Sequence, residues 1–540
     1  PLLTESGCHL RPAPRIHTLK HMHHVAHLPK GWVCAALLLA ASSLAAQVNL
    51  KQIGHLSYAP ITLAGCWHHV DSTGREWALV GTSTGLSLVD LHDPTQPVER
   101  FTVPSLTNNW REVKTWGGYA YFGSEAAGSG INIVDLRHLP DSIRWKTWLG
   151  DGAYDSLVVR SHALQAEDGY LYIFGGGNVT NGATIASLED PWNPHIVGKY
   201  TPRYVHDGFI RGDTLWTSEI YDGQFAAVDI SDKTDPQFIA AQSTPAKFNH
   251  NSGLSPDSRT LFTTDERSNA PLAAFDVSDM EHPRLLDLYY PSQKPSQEVH
   301  NVRVINNFLV NPSYGGQLTI VDAHLPDNLI ETAWAVVGTS LVWDADPYLP
   351  SGIVFASAKA EGLFIFQPSY QRAGYLEGKI TDASTGQPLL KARVEVTGTP
   401  ERDSTDLNGI YKTGALPGTY TVVCSREGYL SQTRTGILLT PGEVRYLDFS
   451  LQPLPSSVPA QPAGDLAFEV SPTCFSDQLS LSLPVAGTLR LSDASGQVLL
   501  TRAASAGPLT LSGLGQWPSG TYCISLQGEN GGYAVKKVVK

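Results

Sequence analysis

Charged side chains are scarce in this sequence, at 16%, and no basic stripe runs through it. With a formal net charge of −13, nothing is placed to replace phosphate counterions, which excludes nucleic acid as a partner. No apolar run is long enough to cross a bilayer as a helix. Cysteine is rare: six in 540 residues, none at C-x-x-C spacing, so a structural zinc site of that kind is excluded. Familiar catalytic signatures are missing too. There is no Gly-x-Ser-x-Gly elbow, no His-Glu-x-x-His helix and no phosphate-cradling loop; Gly175, Gly176 and Gly177 follow a strand, but no helical pattern follows them. What is plentiful is Gly and Pro, 49 and 36 residues, which fits many short strands joined by turns. The length is too great for one ordinary domain.

The first methionine is Met22, so residues 1–21 read as translation upstream of a true start. From Met22 the pattern is that of a secretory signal. A polar region ends at Lys30, an apolar run extends from Trp32 to Leu44, and Ser43, Ala45 and Ala46 supply small residues. Residues 1–46 are therefore expected to be removed near Ala45–Gln47, leaving a soluble, exported chain without a transmembrane segment. Cys8 and Cys34 go with the leader; Cys474 and Cys523, near opposite ends of the last domain, are candidates for a disulfide in an oxidising compartment.

Internal repetition governs the fold class. GTSTGLSLVDLHDPTQPVE, SGINIVDLRHLPDSI, GATIASLEDPWNPHIV, GQFAAVDISDKTDPQFI, APLAAFDVSDMEHPRLL and GQLTIVDAHLPDNLI share a small-residue turn, an apolar strand, a polar turn and a second strand. A degenerate seventh copy is EGLFIFQPSY. The strand-end positions are Asp90, Asp135, Ser187, Asp229, Asp276, Asp322 and Gln367, spaced as one four-stranded propeller blade each. A polar side chain there can bond the backbone two residues on. Pro97, Pro194, Pro236 and Pro283 recur seven residues later, where an outer strand can begin without needing an N–H. The seventh copy lacks an outer strand, and residues 48–58 resemble the outer strands of other copies. They are expected to cross over and complete it. The fold class is thus all-β: a seven-bladed β-propeller over 47–371, followed by two small β-sandwich domains.

CWHHVDSTGREWALVGTSTGLSLVDL, NWREVKTWGGYAYFGSE, YVHDGFIRGDTLWTSEI, FNHNSGLSPDSRTLFTTDE and DPYLPSGIVFASAKAEGLFIF resemble the LVIVD-repeat, "choice-of-anchor B" family of bacterial surface proteins. The resemblance implies a surface or secreted propeller and specifies neither a protein nor a glycan ligand. Residues 372–454 give GYLEGKITDASTGQPLLKARVEV and DLNGIYKTGALPGTYTVVCSREGY, with tight reversals at Asn408-Gly409 and Pro417-Gly418. They resemble a carboxypeptidase regulatory-like, transthyretin-like domain, a name that does not imply peptidase activity; the fold is carbohydrate-binding-like by classification, but this copy offers no aromatic platform, so a structural spacer is expected. A Pro/Ser-rich linker occupies 455–466. Residues 467–540, with FEVSPTCFSDQLSLSL, WPSGTYCISL and a terminal KKVVK, resemble a type A sorting domain of type IX secretion. That resemblance implies the type IX machinery as partner and a cell-surface or secreted location. Cys474 stands where the family usually has proline.

Histidine is confined to the propeller in the mature chain. His68, His162, His206, His250 and His300 fall at a common place about ten residues before each second strand, with Arg111 and Asp344 at the comparable positions of the second and seventh copies. Innermost strands line a propeller's channel, so these side chains are candidates to converge. Glu125, Glu219 and Glu266, after the next strand, are candidates for its mouth. Imidazole and carboxylate suit a divalent transition metal, and His162, His206, His250 and His300 are the candidate ligands. The competing expectation is that repeated His-Asp and His-Asn pairs bond backbone between blades. A binding or scaffolding role is expected first, and a metal-dependent hydrolase or lyase second.

Overall fold

The computed structural model describes residues 47–293, 296–339, 341–454, 466–494, 496–529 and 532–540. The expected leader at 1–46 and all but the last residue of the 455–466 linker lie outside the described residues. Among the described residues there is no α-helix, and no helix long and apolar enough to cross a membrane. The chain forms two compact units, up to Leu451 and from Gln452.

The first unit opens with seven successive antiparallel sheets, an all-β arrangement that fits a propeller. Their first strands are Leu63–Val70, Arg111–Trp116, Ala163–Glu167, Asp207–Arg211, Asn249–Leu254, Arg303–Ile305 and Val342–Asp346. From the first sheet to the sixth, the first strand of each packs beside the next; Phe308–Ser313 of the sixth packs beside the first strand of the seventh, and that strand beside the first strand of the first sheet. Middle strands such as Tyr119–Ser124, Thr260–Asp265 and Gln317–Asp322 are buried along their whole length. They carry polar as well as apolar residues, as in TLFTTD and QLTIVD, and both kinds are buried. Outer strands such as Gln237–Ser243 stay partly exposed. Between the fourth and fifth sheets, Phe225 lies 6.1 Å from Trp216 and 5.1 Å from Phe275. Each such buried aromatic contributes roughly 1.5–3 kcal/mol.

Chain reversal at six of the seven repeats is built into the strand-end residue; at the seventh, the Ser369 N–H, two residues after Gln367, donates to the Asn49 carbonyl instead. Asp90, Asp135, Asp229, Asp276 and Asp322 accept the backbone N–H two residues on, at 2.9, 3.2, 2.8, 3.0 and 3.0 Å, and the Ser187 hydroxyl does the same at 3.2 Å. Pro97, Pro194, Pro236 and Pro283 each stand one residue before an outer strand begins, where the absent N–H costs no ladder bond.

Leu50–Leu56 pairs antiparallel with Gly362–Pro368 and is the fourth strand of the seventh sheet. The stretch 48–58 is not one strand, however. Gln47 and Val48 pair with Ala335 and Trp334 of the sixth sheet, and Asn49, at φ 51°, turns the chain between the two pairings. Its side chain donates to the Thr332 carbonyl at 2.9 Å, fixing that turn.

Residues 374–451 form the rest of this unit. One sheet is centred on Gly374–Asp382, and the other runs Arg402–Ser404, Arg393–Val396, Gly418–Ser425, Gln432–Leu439. Leu376, Ile380, Val394, Tyr411, Val422 and Phe449 fill the space between them. Gly409 sits at φ 76°, and a Cβ there would stand 2.6 Å from the Ile380 carbonyl, so the Asn408-Gly409 reversal requires glycine.

The second unit packs a three-stranded sheet on a four-stranded one around Leu479, Leu489, Ile524 and Leu526. The candidate pair does not bond: Cys474 and Cys523 are both free thiols. The cause is the strand Tyr533–Val539 between them. Cys523 pairs across one edge of it with Lys537, whereas Cys474 bridges Val539 at the other edge. Two strand spacings amount to about 10 Å, beyond disulfide reach.

Gly54 tests how the N-terminal strand is seated. A Cβ there would stand 2.1 Å from the Pro94 carbonyl of the first sheet. Gly54→Ala should lower unfolding free energy by about 1–3 kcal/mol in chemical denaturation. An unchanged midpoint would mean that the strand does not press on Pro94.

Candidate functional site

His162 and His206 immediately precede first strands, His250 is the second residue of one, and His300 stands three residues before another. Backbone bonds fix three of them: the N–H of His162 donates to Phe174 O, that of His206 to Ser218 O and that of His300 to Pro312 O, at 2.9, 2.8 and 3.0 Å. Because successive first strands pack side by side, the four rings form a row. Centroids are 3.8 Å apart for His162–His206, 4.6 Å for His206–His250 and 4.1 Å for His250–His300. The ring of Tyr314 stacks on His300 at 4.4 Å. His206, His250 and His300 are buried and His162 is half-buried.

The two nitrogens of these rings have different surroundings. His250 Nδ1 lies 2.9 Å from the His300 carbonyl, and His300 Nδ1 lies 2.6 Å from the Trp343 carbonyl. A carbonyl only accepts, so both Nδ1 atoms carry the proton and both Nε2 atoms are left with a lone pair. His162 Nδ1 lies 2.6 Å from a Glu125 oxygen. The bond to His162 holds the Glu125 carboxyl below its ordinary value, so the carboxylate accepts and His162 donates. Nε2 of His206 and Nε2 of His300 are buried without a hydrogen-bond partner. Burial drives the His206 and His300 pKa values well below the ordinary imidazole value, helped by the neighbouring rings, and burial lowers His250 as well. These are neutral imidazoles, the form that binds metals.

Two triads of ligand atoms lie within 4.8 Å of one another: His162, His206 and His250; and His250, Glu266 and His300. Glu266 Oε1 is 3.8 Å from His300 Nε2 and accepts from the Tyr314 hydroxyl at 3.0 Å. The space bordered by these imidazoles, Glu112 and Trp343 is about 10 Å³, enough for one water-sized occupant.

The other candidates lie apart from the row. His68 Nδ1 pairs with Asp346 at 2.8 Å, beside Trp67 and Tyr348. Arg111 donates to the carbonyls of Thr82 and Leu106, at 2.9 and 2.8 Å, with its guanidinium over Phe122. Glu219 is buried within its own sheet, bonded to Thr217 and Gln224, rather than opening at a mouth. Asp344 takes both Nη2 contacts of Arg303, at 2.7 and 2.8 Å, and accepts from Asn301 and the Cys66 N–H. Burial works to raise the Asp344 carboxyl, but Arg303 overrides it and holds it low.

Several neighbours escaped the sequence reading. Trp343 supplies the carbonyl that fixes His300, and Tyr314 covers the same ring. Glu112 borders the imidazoles, with Lys114 3.9 Å away and the Trp343 indole N–H at 3.4 Å. Residues following histidines carry between-sheet bonds: Asn251 donates to Asp207 at 2.6 Å and accepts from the Val302 N–H at 3.0 Å. The repeated His-Asp and His-Asn pairs were the available signal.

Residues 375–452 match the family model of the carboxypeptidase regulatory-like domain, and this part of the chain is such a domain. No curated protein matches the sequence. Among solved structures, a Bacteroides uniformis ATCC 8492 protein described as a 6-phosphogluconolactonase candidate aligns with 65% of this chain and 98% of its own, at 10% identity and a TM-score of 0.43. The computationally designed Ika8 protein aligns with 58% of this chain and 99% of its own, at 10% identity and a TM-score of 0.40. At such scores neither likeness bears on function.

Burial, opposed by Lys114, pushes the Glu112 carboxyl up from 4.5 to about 7. A raised carboxyl binds its proton more tightly in the folded chain. Its contribution to stability is therefore lost as pH rises from about 4.5 to about 7. Glu112→Gln should remove this loss, so that the variant gains on the wild type by on the order of 2 kcal/mol across that window. Denaturation at pH 5 and pH 8 measures it; a pH-independent difference would show that Glu112 titrates normally.

Proposed function

We propose that this chain is an exported cell-surface or secreted protein whose seven sheets form a seven-bladed β-propeller of the LVIVD-repeat, choice-of-anchor B kind. It serves a binding role, and its axial channel holds a divalent transition-metal ion through the imidazole row. One observation carries the metal reading. His162, His250 and His300 are pinned at Nδ1 by a carboxylate or a carbonyl, all four rings border one small space, and the Nε2 atoms of His206 and His300 are buried with no partner. An Nδ1–H bonded to carbonyl or carboxylate is the usual support of a metal-ligating histidine. An unpaired buried polar atom is otherwise costly.

A second reading, metal-dependent hydrolase or lyase chemistry, is favoured by Glu112. Its carboxyl, raised by burial, borders the same space, where it has the character of a general base for a metal-bound water.

Export rests on the leader pattern and on the resemblance of 467–540 to a type A sorting domain. Deleting 467–540 should leave the protein in the periplasm with residues 1–46 still removed, as cell fractionation and N-terminal sequencing would read. Surface display of the truncated chain would refute the sorting role.

Metal uptake is tested by elemental analysis of the purified chain after exposure to Zn²⁺ or Cu²⁺. The wild type should retain metal through desalting, and the His206→Ala/His250→Ala double variant should retain none while keeping its circular dichroism. Equal metal content in the two would end the metal reading.

A further inference from the structure

His250 is common to both triads of ligand atoms, and it has one nitrogen to offer. Its Nδ1 is committed to the His300 carbonyl at 2.9 Å, so only Nε2 remains, and a ring nitrogen's single lone pair binds one ion. The two triads therefore cannot both be filled through His250. The space beside the rings points the same way, since about 10 Å³ holds one water-sized occupant.

Resting on the metal-binding reading above, we propose that the channel holds one divalent transition-metal ion that has two alternative seats sharing His250. The first seat is all-imidazole, from His162, His206 and His250. The second is two imidazoles and a carboxylate, from His250, His300 and Glu266. Ligand atoms of each set lie within 4.8 Å of one another; a tetrahedral ion with bonds of ~2.1 Å spaces its ligands ~3.4 Å apart, so small side-chain movements complete either seat. Each seat has its own support. Glu125 fixes His162 in the first; the Trp343 carbonyl fixes His300 and the Tyr314 hydroxyl holds Glu266 in the second. Each provides three protein ligands and leaves a coordination position for water or a substrate atom.

Ligand chemistry separates the seats. Three neutral imidazoles suit Cu²⁺, whereas two imidazoles with one carboxylate suit a harder ion such as Mn²⁺ or Fe²⁺. Cu²⁺ should occupy the first seat and Mn²⁺ the second, and the two ions should compete because His250 serves both.

The test uses the full purified chain with Cu²⁺ alone, Mn²⁺ alone, and the two in competition. Readouts are elemental analysis, electron paramagnetic resonance and titration. One ion per chain is expected in every case, with Cu²⁺ displacing Mn²⁺. His206→Ala should weaken Cu²⁺ binding ~10-fold or more and leave Mn²⁺ binding unchanged; Glu266→Gln should do the reverse. His250→Asn should abolish both, since an amide can still donate to the His300 carbonyl while offering no imidazole, which separates loss of a ligand from loss of fold. A wild type that takes up neither ion overturns the metal-binding reading itself. Two ions per chain, metal retained by His250→Asn, or identical effects of His206→Ala and Glu266→Gln on both ions leave that reading standing and overturn the shared-seat proposal.

Discussion

The centre of the repeat region depends on a division of labour within single side chains. An imidazole has two nitrogens on opposite sides of a rigid ring. In His250 and His300 one of them bonds the backbone carbonyl of the following sheet. Each carbonyl also accepts from a side chain, Thr264 at His300 and Asn301 at Trp343, and the imidazole bond adds to this while fixing ring orientation and tautomer. The other nitrogen takes no backbone bond, and in His300 it is buried with no partner at all. Packing between sheets and presentation of lone pairs are thus two ends of one group. The two expectations for these histidines, ligand and between-sheet bond, are not alternatives in this structure.

Around that row the polar groups are satisfied mainly by cross-sheet pairing. Asn251 joins the fourth, fifth and sixth sheets, and Asp344 ties the sixth and seventh to the Cys66 N–H of the first. The Arg303–Asp344 pair is deep, and breaking a buried pair by removing one partner costs about 3–5 kcal/mol because a charge is left uncompensated. Such pairs hold strands in one register, and a ring of separate sheets needs this since no continuous ladder links one sheet to the next. The N-terminal strand adds a second link, with its first residues on the sixth sheet and its remainder on the seventh.

The regulatory-like domain is bonded to the sixth sheet rather than tethered loosely. Asp322, the strand-end residue of that repeat, accepts from Arg372 and from the Ala373 N–H as well as closing its own turn. Asn328 donates to the Thr413 carbonyl at 3.0 Å, and Lys412 pairs with Asp327. A repeat residue is here reused as a domain clamp, which fits a structural mount. The imidazole row and the residues that support and border it lie between Glu112 and Trp343, and none comes from this domain.

The sequence by itself determined the all-β class, the repeated four-stranded units, their polar turns and the need for an added strand. All of these follow from local patterns: alternation, Gly and Pro placement, and a strand-end side chain that bonds two residues away. It also brought out His162, His206, His250 and His300, because repetition places equivalent residues at equivalent radius. Only the tertiary structure decided which nitrogen of each ring is free, since that depends on the carbonyls of His300 and Trp343 in adjoining sheets. It separated His68, Arg111 and Glu219 from the row, because a shift of a residue or two along a twisted strand turns a side chain to another face. It also added Glu112, Tyr314 and Trp343: Glu112 and Trp343 are the second residues of their first strands, as His250 is of its own, but they carry no imidazole to mark them, and all three meet the histidines only when distant strands pack side by side. Cys474 and Cys523 make the same point: near in composition and compartment, they are kept apart by a strand that no spacing rule reveals.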